Sequence, residues 1–356
     1  MQTTNYKKVI IFCSLVVISL YSSNYYFVSN FSNLILIFTI IANFTILFNI
    51  FNFNNLRSNK YNFLIFSSII LFLGITFYFS TNTYYEIFRY IFLIVCLYTY
   101  VNISKENFDI YTDAIKLFFN IFFPILFIIF IFIFIRDLPR TSVYFHNIAY
   151  LSGFFLFSLS IFIIQKKKIM IVLALIGLAL TFTKSTILAS LFLLINLFKN
   201  KYLKFLIVIL FVFFLITFLS SELQYLPFFQ SDLLEPYRLF TGFNRRDIYW
   251  LSAIERLSIE PQGMAGMLDI IRAEGLFNSS LHSVWFDNII IYGYLNFSIY
   301  LFILIKFLKF NIGNLPYYIL MSFITITPGG IGILPHLLVY FMLYNNRKLI
   351  NDTQSN

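Results

Sequence analysis

Residues 278–297, NSSLHSVWFDNIIIYGYLNF, begin as a polar loop and end as an apolar helix. The run from Val284 onward reads as a membrane span, with His282 at its mouth, Asp287 about one turn inside it and Gly293 further along. A carboxylate at that depth is costly, so it is expected to face protein or water.

The rest of the chain has the same character. It has 356 residues, 60% hydrophobic and only 11% charged, with a mean hydropathy of +0.84. Soluble domains are about 25% charged. The apolar residues come in blocks of about 20, the length a helix needs to cross the hydrocarbon core, and lack the alternation of strands. The expected fold is therefore all-α: a polytopic membrane helix bundle of about 12 transmembrane helices, or ten if two short hairpins are read as single tilted helices. The expected centres are residues 18, 42, 70, 94, 125, 154, 176, 192, 212, 294, 321 and 338. The hairpins turn at Thr183-Lys184-Ser185 and Pro328-Gly329-Gly330. The whole chain, 1–356, reads as one integral membrane domain. The first apolar run, from Lys8, reads as a retained signal anchor. Cys13 and Cys96 both fall inside expected spans, so neither a disulfide framework nor a cysteine metal site is expected.

Charge orients the bundle. One set of connections carries Lys7, Lys8, Arg57, Lys60, Lys105, Lys116, Lys166, Lys167, Lys168, Lys199, Lys201, Lys204, Lys306, Lys309, Arg347 and Lys348. The positive-inside rule makes that side, and both termini, cytoplasmic. The other side carries Arg136, Arg140, Lys184, Arg238, Arg245, Arg246, Arg256 and Arg272. The inner set is nearly all lysine and the outer set nearly all arginine. Arginine binds carboxylate and phosphate through a planar fork, which holding topology does not require.

The outer side also holds the one large loop, 221–281, with eight of the chain's fifteen acidic residues. Within it, 247–259 has helical spacing, with Ile248, Leu251, Ile254 and Leu257 on one stripe, and is expected to lie along the membrane surface. A second short helix is expected over 264–273. Chemistry is expected between this loop and the outer span ends.

His282 is suited to general-base work near neutral pH. Asp287 is five residues further, about 140° round the helix, so a direct pair with His282 is not dictated by spacing. Arg246, Arg140, Arg245 and Arg238 form a guanidinium set suited to a pyrophosphate, and anchoring the loop to lipid headgroups or pairing with Glu222, Glu235 and Asp247 is the competing reading. Lys184, at the hairpin tip in LTFTKSTIL, is either a second cation for that anion or a snorkelling lysine. Glu86 and Arg89 are spaced to neutralise each other. No Asp-x-Asp or clustered histidines lie on the outer side, so no metal and no cofactor is expected.

These residues resemble the superfamily of O-antigen ligases and Wzy-type O-antigen polymerases. LHSVWFDNIIIYGYLN is similar to its H-[NSQ]-x9-G-x-x pattern through His282, Ser283 and Gly293, with Asn296 in the less usual last position. NRRDIYWLSAIERLSIEPQGMAG is similar to the family's R-x-x-x-W helix and P-x-x-G-x-G turn through Arg246, Trp250, Gly263 and Gly266, the glycines one residue wider than usual. RTSVYFHNIA matches through Arg140 and Asn147, and Thr183-Lys184 stands for the family's Ser-Arg hairpin. The likeness covers about residues 136–305.

The resemblance implies a metal-independent glycosyltransferase of the bacterial inner membrane. Its active site would be periplasmic and its substrate an undecaprenyl-pyrophosphate-linked oligosaccharide. His282 would be the base. Arg246, Arg140, Lys184, Arg245 and Arg238 would bind pyrophosphate, with Asp287, Gly293 and Asn147 in support. A polymerase of O-antigen or capsular polysaccharide is the first expectation and a ligase to lipid A core the second. A flippase-type transporter ranks third, because the ionisable groups gather on one surface rather than at the midplane. Expected partners are the lipid bilayer and the pathway's chain-length regulator and flippase, with no nucleic acid.

Overall fold

The computed structural model describes residues 2–23, 30–51, 84–137, 144–181 apart from 146, 183–195, 246–273, 283–308, 312–323 and 331–354, with a few isolated positions besides. Among these the secondary structure is helical, with a single isolated bridge between Ser23 and Phe145. The helices are α1 (Gln2–Tyr21), α2 (Ser32–Ile50), α3 (Tyr84–Val101), α4 (Lys105–Asp137), α5 (Ile148–Ile164), α6 (Lys168–Leu180) and α7 (Lys184–Ile195). After these come α8 (Arg246–Glu255), α9 (Gly263–Ala273), α10 (Val284–Leu308), α11 (Leu315–Phe323) and α12 (Ile333–Gln354). Helix covers every expected span centre except 70 and 212, which lie outside the described residues.

Among the described residues three helices, α1, α2 and α4, are long and apolar enough to cross a membrane. Their polarity is the reverse of a soluble helix. On α2, Ile37, Phe38, Ile41, Phe44 and Phe48 are exposed; on α4, Ile121, Ile125, Ile128, Phe132 and Ile135 are. Both sets recur every three or four residues, one stripe of a helix. Continuous exposed apolar stripes of this kind suit a hydrocarbon solvent and not water.

The core is built around helices apolar on every side. In α5 every residue from Leu151 to Phe162 is buried, and in α12 every residue from Ile333 to Leu343 is. A helix buried all round belongs at the centre of a bundle. Phe157, Tyr317 and Phe341 stack between α5, α11 and α12 at 5.6–6.0 Å. Helix α4 is about 50 Å long at 1.5 Å per residue, more than a span needs. Its first turns carry Glu106, Asp109, Asp113 and Lys116, with an exposed Lys116–Asp113 pair at 3.1 Å.

Helices α5 and α6 form an antiparallel hairpin in which Gly177 faces the Phe155 ring. Its turn is a Schellman cap: Lys167 N–H reaches Phe162 C=O at 3.0 Å and Lys166 N–H reaches Ile163 C=O at 3.1 Å. Lys166 supplies the left-handed residue, φ 57°, where glycine is usual. The expected turn after α6 is present as well, with α6 ending at Leu180 and α7 starting at Lys184. The corresponding turn at 328–330 lies outside the described residues.

Contacts between connections sort them into two ends. At one, Ser19 Oγ meets Tyr144 OH at 3.0 Å, Ser23 bridges Phe145, and Gly332 approaches Ser22. At the other, Asn107 donates to Ile50 C=O, Arg347 to Ile103 C=O and Asn345 to Gly313 C=O, at 2.7–3.2 Å. The second end gathers connections of the lysine-rich set, including those at Lys105 and Arg347.

Candidate functional site

Helices α8, α9 and the first half of α10 form one unit. Trp250 of α8 stacks on Phe286 of α10, with ring centroids 5.3 Å apart and planes 12° from parallel. Eight residues later in each segment, Ser258 C=O accepts from Tyr294 N–H at 3.0 Å. Equal advance along both segments means that α8 runs parallel to α10. Helix α9 then returns, burying Met267, Ile270 and Ile271. The helices expected within the loop are thus present, but they pack along the flank of α10. The expected stripe also faces outward: Leu251, Ile254 and Leu257 are exposed, while Ser252 and Ala253 are buried. The protein-facing side of α8 thus carries Ser252 and Ala253 beside Trp250, which reaches Phe286.

The two segments meet at Gly293, which has φ 73° and ψ 158° inside α10. That combination is essentially confined to glycine. Contact reinforces the constraint, because a Cβ here would overlap the Ile259 carbonyl oxygen and sit 2.8 Å from the Glu260 carbonyl carbon. In an unbroken helix Tyr294 N–H would bond Ile290 C=O. Here Ser258 C=O meets Tyr294 N–H, and Gln262 N–H meets Ile290 C=O at 3.1 Å. The 258–262 turn is thus inserted into the hydrogen-bond ladder of α10. Within the turn, Gln262 Nε2 donates to Arg256 C=O at 2.6 Å and Ser258 Oγ donates to Glu260 C=O. Gly263, with φ 67°, turns the chain into α9. Asn296 Nδ2 donates to Tyr292 C=O at 2.9 Å, covering a carbonyl beside the break. Asn296, unusual for the family pattern, therefore has a local task.

Asp287 is 2% exposed and lies in the first turn of α10, where the helix dipole favours a negative charge. Its N–H bonds Ser283 C=O at 2.9 Å, and Ser283 is itself buried. His282, Arg140, Arg238 and Arg245 lie outside the described residues, as does His146. Arg246 opens α8, one turn before Trp250, but its side chain and those of Glu86 and Arg89 lie outside them.

Lys184 opens α7 and is only 8% exposed. Its turn is closed by hydroxyls: Thr181 Oγ1 donates to Leu178 C=O at 2.7 Å and Thr186 Oγ1 to Thr183 C=O at 2.9 Å. A cation at a helix N-terminus opposes the dipole, so burial there is not explained by helix electrostatics. Asn147 is the N-cap of α5, its Oδ1 accepting from Ala149 N–H at 2.8 Å. That role stabilises the helix whatever else the residue does.

A second polar cluster was not singled out in the sequence. His336 is fully buried between Tyr100 and Asn43. Asn43 Nδ2 donates to Thr39 C=O at 2.8 Å and Ile331 C=O at 3.0 Å, so its Oδ1 is left to accept. His336 Nε2 must therefore carry the proton, and Nδ1 accepts from Tyr100 OH. Tyr100 in turn accepts from Tyr111 OH at 3.0 Å. The chain of donors runs in one sense and ties α2, α3, α4 and α12 together. Both ring nitrogens are engaged, which suits a structural latch and leaves no atom for catalysis. Single polar residues inside apolar runs, Asn43 and His336, were the available signal.

Among the described residues no group of three or more His, Cys, Asp or Glu converges on a common point. No protein-family model, curated protein or solved structure matches the chain.

Proposed function

We propose that the protein is a polymerase of O-antigen or capsular polysaccharide, acting on glycans carried by undecaprenyl pyrophosphate at the periplasmic side of the bacterial inner membrane. The observation that carries the reading is the union of two segments that resemble the family. The α8 segment, holding Arg246 and Trp250, is locked to the α10 segment, holding Ser283, Asp287 and Gly293, by the Trp250–Phe286 stack and the splice at Gly293. With α8 parallel to α10, and Arg246 one turn before Trp250, the start of α8 falls level with the start of α10. His282 directly precedes Ser283 in the chain. A base and a guanidinium carried by these two segments would suit transfer of a glycosyl group from a pyrophosphate.

In the proposed reaction, a hydroxyl oxygen at the non-reducing end of a lipid-linked repeat attacks the anomeric carbon of the growing chain. The bond from that carbon to the pyrophosphate oxygen breaks, and undecaprenyl pyrophosphate leaves with the electron pair. His282 takes the hydroxyl proton. Arg246, with Arg140, Arg245, Arg238 and Lys184, neutralises the leaving group. The bundle has about 12 spans, with both termini and the lysine-rich end cytoplasmic. A deletion strain tests the reading: its surface polysaccharide should fall to single repeat units. Long chains left free of lipid A core would make the protein a ligase. Lipid-linked repeats that fail to reach the outer face would make it a transporter.

A further inference from the structure

We infer that α10 crosses the membrane only from Gly293 onward, and that α8, α9 and the first half of α10 lie flat on the outer surface of the bilayer, as a layer seated in the lipid headgroups. The inference rests on the second half of α10 spanning the membrane and is independent of the polymerase reading.

A ring contact shows that α10 bends sharply. Trp285 and Phe297 meet edge to face, with ring centroids 6.5 Å apart. They are twelve positions apart in the chain, so a straight helix would separate their Cα atoms by about 18 Å. Helical side chains lean toward the N-terminus, which in a straight helix would carry the Trp285 ring further from Phe297. The helix therefore folds at Gly293, where the backbone is non-helical, and the two rings face each other across the bend. Trp285 also stacks on Tyr318 at 6.4 Å and donates from Nε1 to Ser322 Oγ at 2.9 Å, which ties the first half of α10 to α11.

The second half reads as the crossing. From Tyr294 to Ile305 the sequence has no charged residue, and Lys306 follows. Leu295, Phe302 and Ile305 are 39–56% exposed, as lipid-facing residues are. Its fifteen residues to Leu308 span about 22 Å, close to the about 25 Å of the seventeen-residue α5.

Charge sets the direction of the first half. Helices α8 and α9 pack along it in opposite senses, each about 15 Å long. Glu255, Arg256 and Glu260 are exposed at the end of this unit next to Gly293. Asp269 and Arg272 are exposed toward the other end. Stood upright in the bilayer, the unit would carry one set or the other into hydrocarbon, whichever end pointed inward. Ionisable groups there face protein or water, and these face neither. Lying flat, the unit keeps both sets at the surface. The exposed apolar residues fit the same placement. Leu251, Ile254, Leu257 and Ile259 share α8 and the turn with Glu255 and Arg256. Such a mixture suits the boundary between headgroups and acyl chains. Ser283 and Asp287 then lie at the level where a lipid carries its phosphate.

The test measures nitroxide depth in full-length protein in liposomes, by relaxation with oxygen and with an aqueous nickel chelate. The background is Cys13→Ser, and Cys96 is buried and stays. Labels go one at a time on exposed positions. Leu251→Cys and Leu257→Cys should report one depth, where an upright α8 would separate them by about 9 Å. Leu295→Cys and Phe302→Cys, on the crossing half of α10, should differ by about 10 Å. Asp269→Cys should be relaxed by the nickel chelate and Phe302→Cys by oxygen. A steady change of depth from Leu251 to Leu257 would overturn the flat layer. So would an Asp269→Cys label as shielded from the chelate as that on Phe302→Cys. If either α8 variant does not fold, Ile254→Cys takes its place. Polysaccharide synthesis is not a readout, so failure here and failure of the polymerase reading remain distinct.

Discussion

The backbone N–H of Tyr294 is met by the carbonyl of Ser258, 3.0 Å away and 36 positions earlier in the chain. With the Gln262–Ile290 bond beside it, this joins the 258–262 turn to the ladder of a helix. The union fixes how the arginine-bearing segment sits against the segment that follows His282.

Gly293→Ala should therefore break more than a local turn. The side chain would force a backbone conformation that non-glycine residues avoid, at a cost of about 1–3 kcal/mol, and would also displace Ile259 and Glu260. Polymerisation should fall sharply, with a lower melting temperature in detergent. Wild-type melting in Gly293→Ala would show that the splice does not hold the hairpin.

Trp250→Ala should loosen α8 from α10, whereas Trp250→Phe keeps an aromatic face on Phe286. An aromatic pair contributes about 0.5–1.5 kcal/mol beyond its area. Activity should be largely retained in the phenylalanine variant and lost in the alanine variant, measured as chain-length distribution in complemented cells.

Lys166→Gly should stabilise the protein. Lys166 holds a left-handed conformation at φ 57° in the Schellman turn, which costs a non-glycine residue about 1 kcal/mol. The melting temperature should rise without a change in activity, since the turn is far from α8 and the start of α10.

His336→Ala should destabilise by leaving the Asn43 carbonyl oxygen and the Tyr100 hydroxyl without their ring partner. Each such buried group costs about 1–3 kcal/mol. In a double-mutant cycle with Asn43→Ala the two effects should be non-additive by about 0.5–3 kcal/mol. Full additivity would contradict the latch.

The sequence announces the helices clearly, because in a membrane chain an apolar block and its flanking charges carry most of the information. The two short helices between 246 and 273 are also legible, the first from the spacing of Leu251, Ile254 and Leu257. How the segment meets α10 is not: Trp250 stacks on Phe286 and Ser252 and Ala253 are buried, while the apolar stripe stays exposed. Gly293 carries a signal without a stated cause, since close approach of Ile259 is a tertiary fact that spacing cannot encode. The His336 latch escapes for a related reason: its partners lie 236 and 293 positions away.

Arg246→Lys keeps the charge and loses the planar fork. Activity should drop substantially if pyrophosphate is held by two parallel bonds, and should be unchanged if Arg246 only anchors the loop to headgroups.

The most direct test of the proposed reaction uses purified protein in liposomes with undecaprenyl-pyrophosphate-linked repeat units. Wild-type protein should lengthen the glycan while releasing undecaprenyl pyrophosphate, and His282→Ala, folded to the same melting temperature, should do neither. Equal chain growth with His282→Ala, or no growth with wild-type protein, would contradict the assignment.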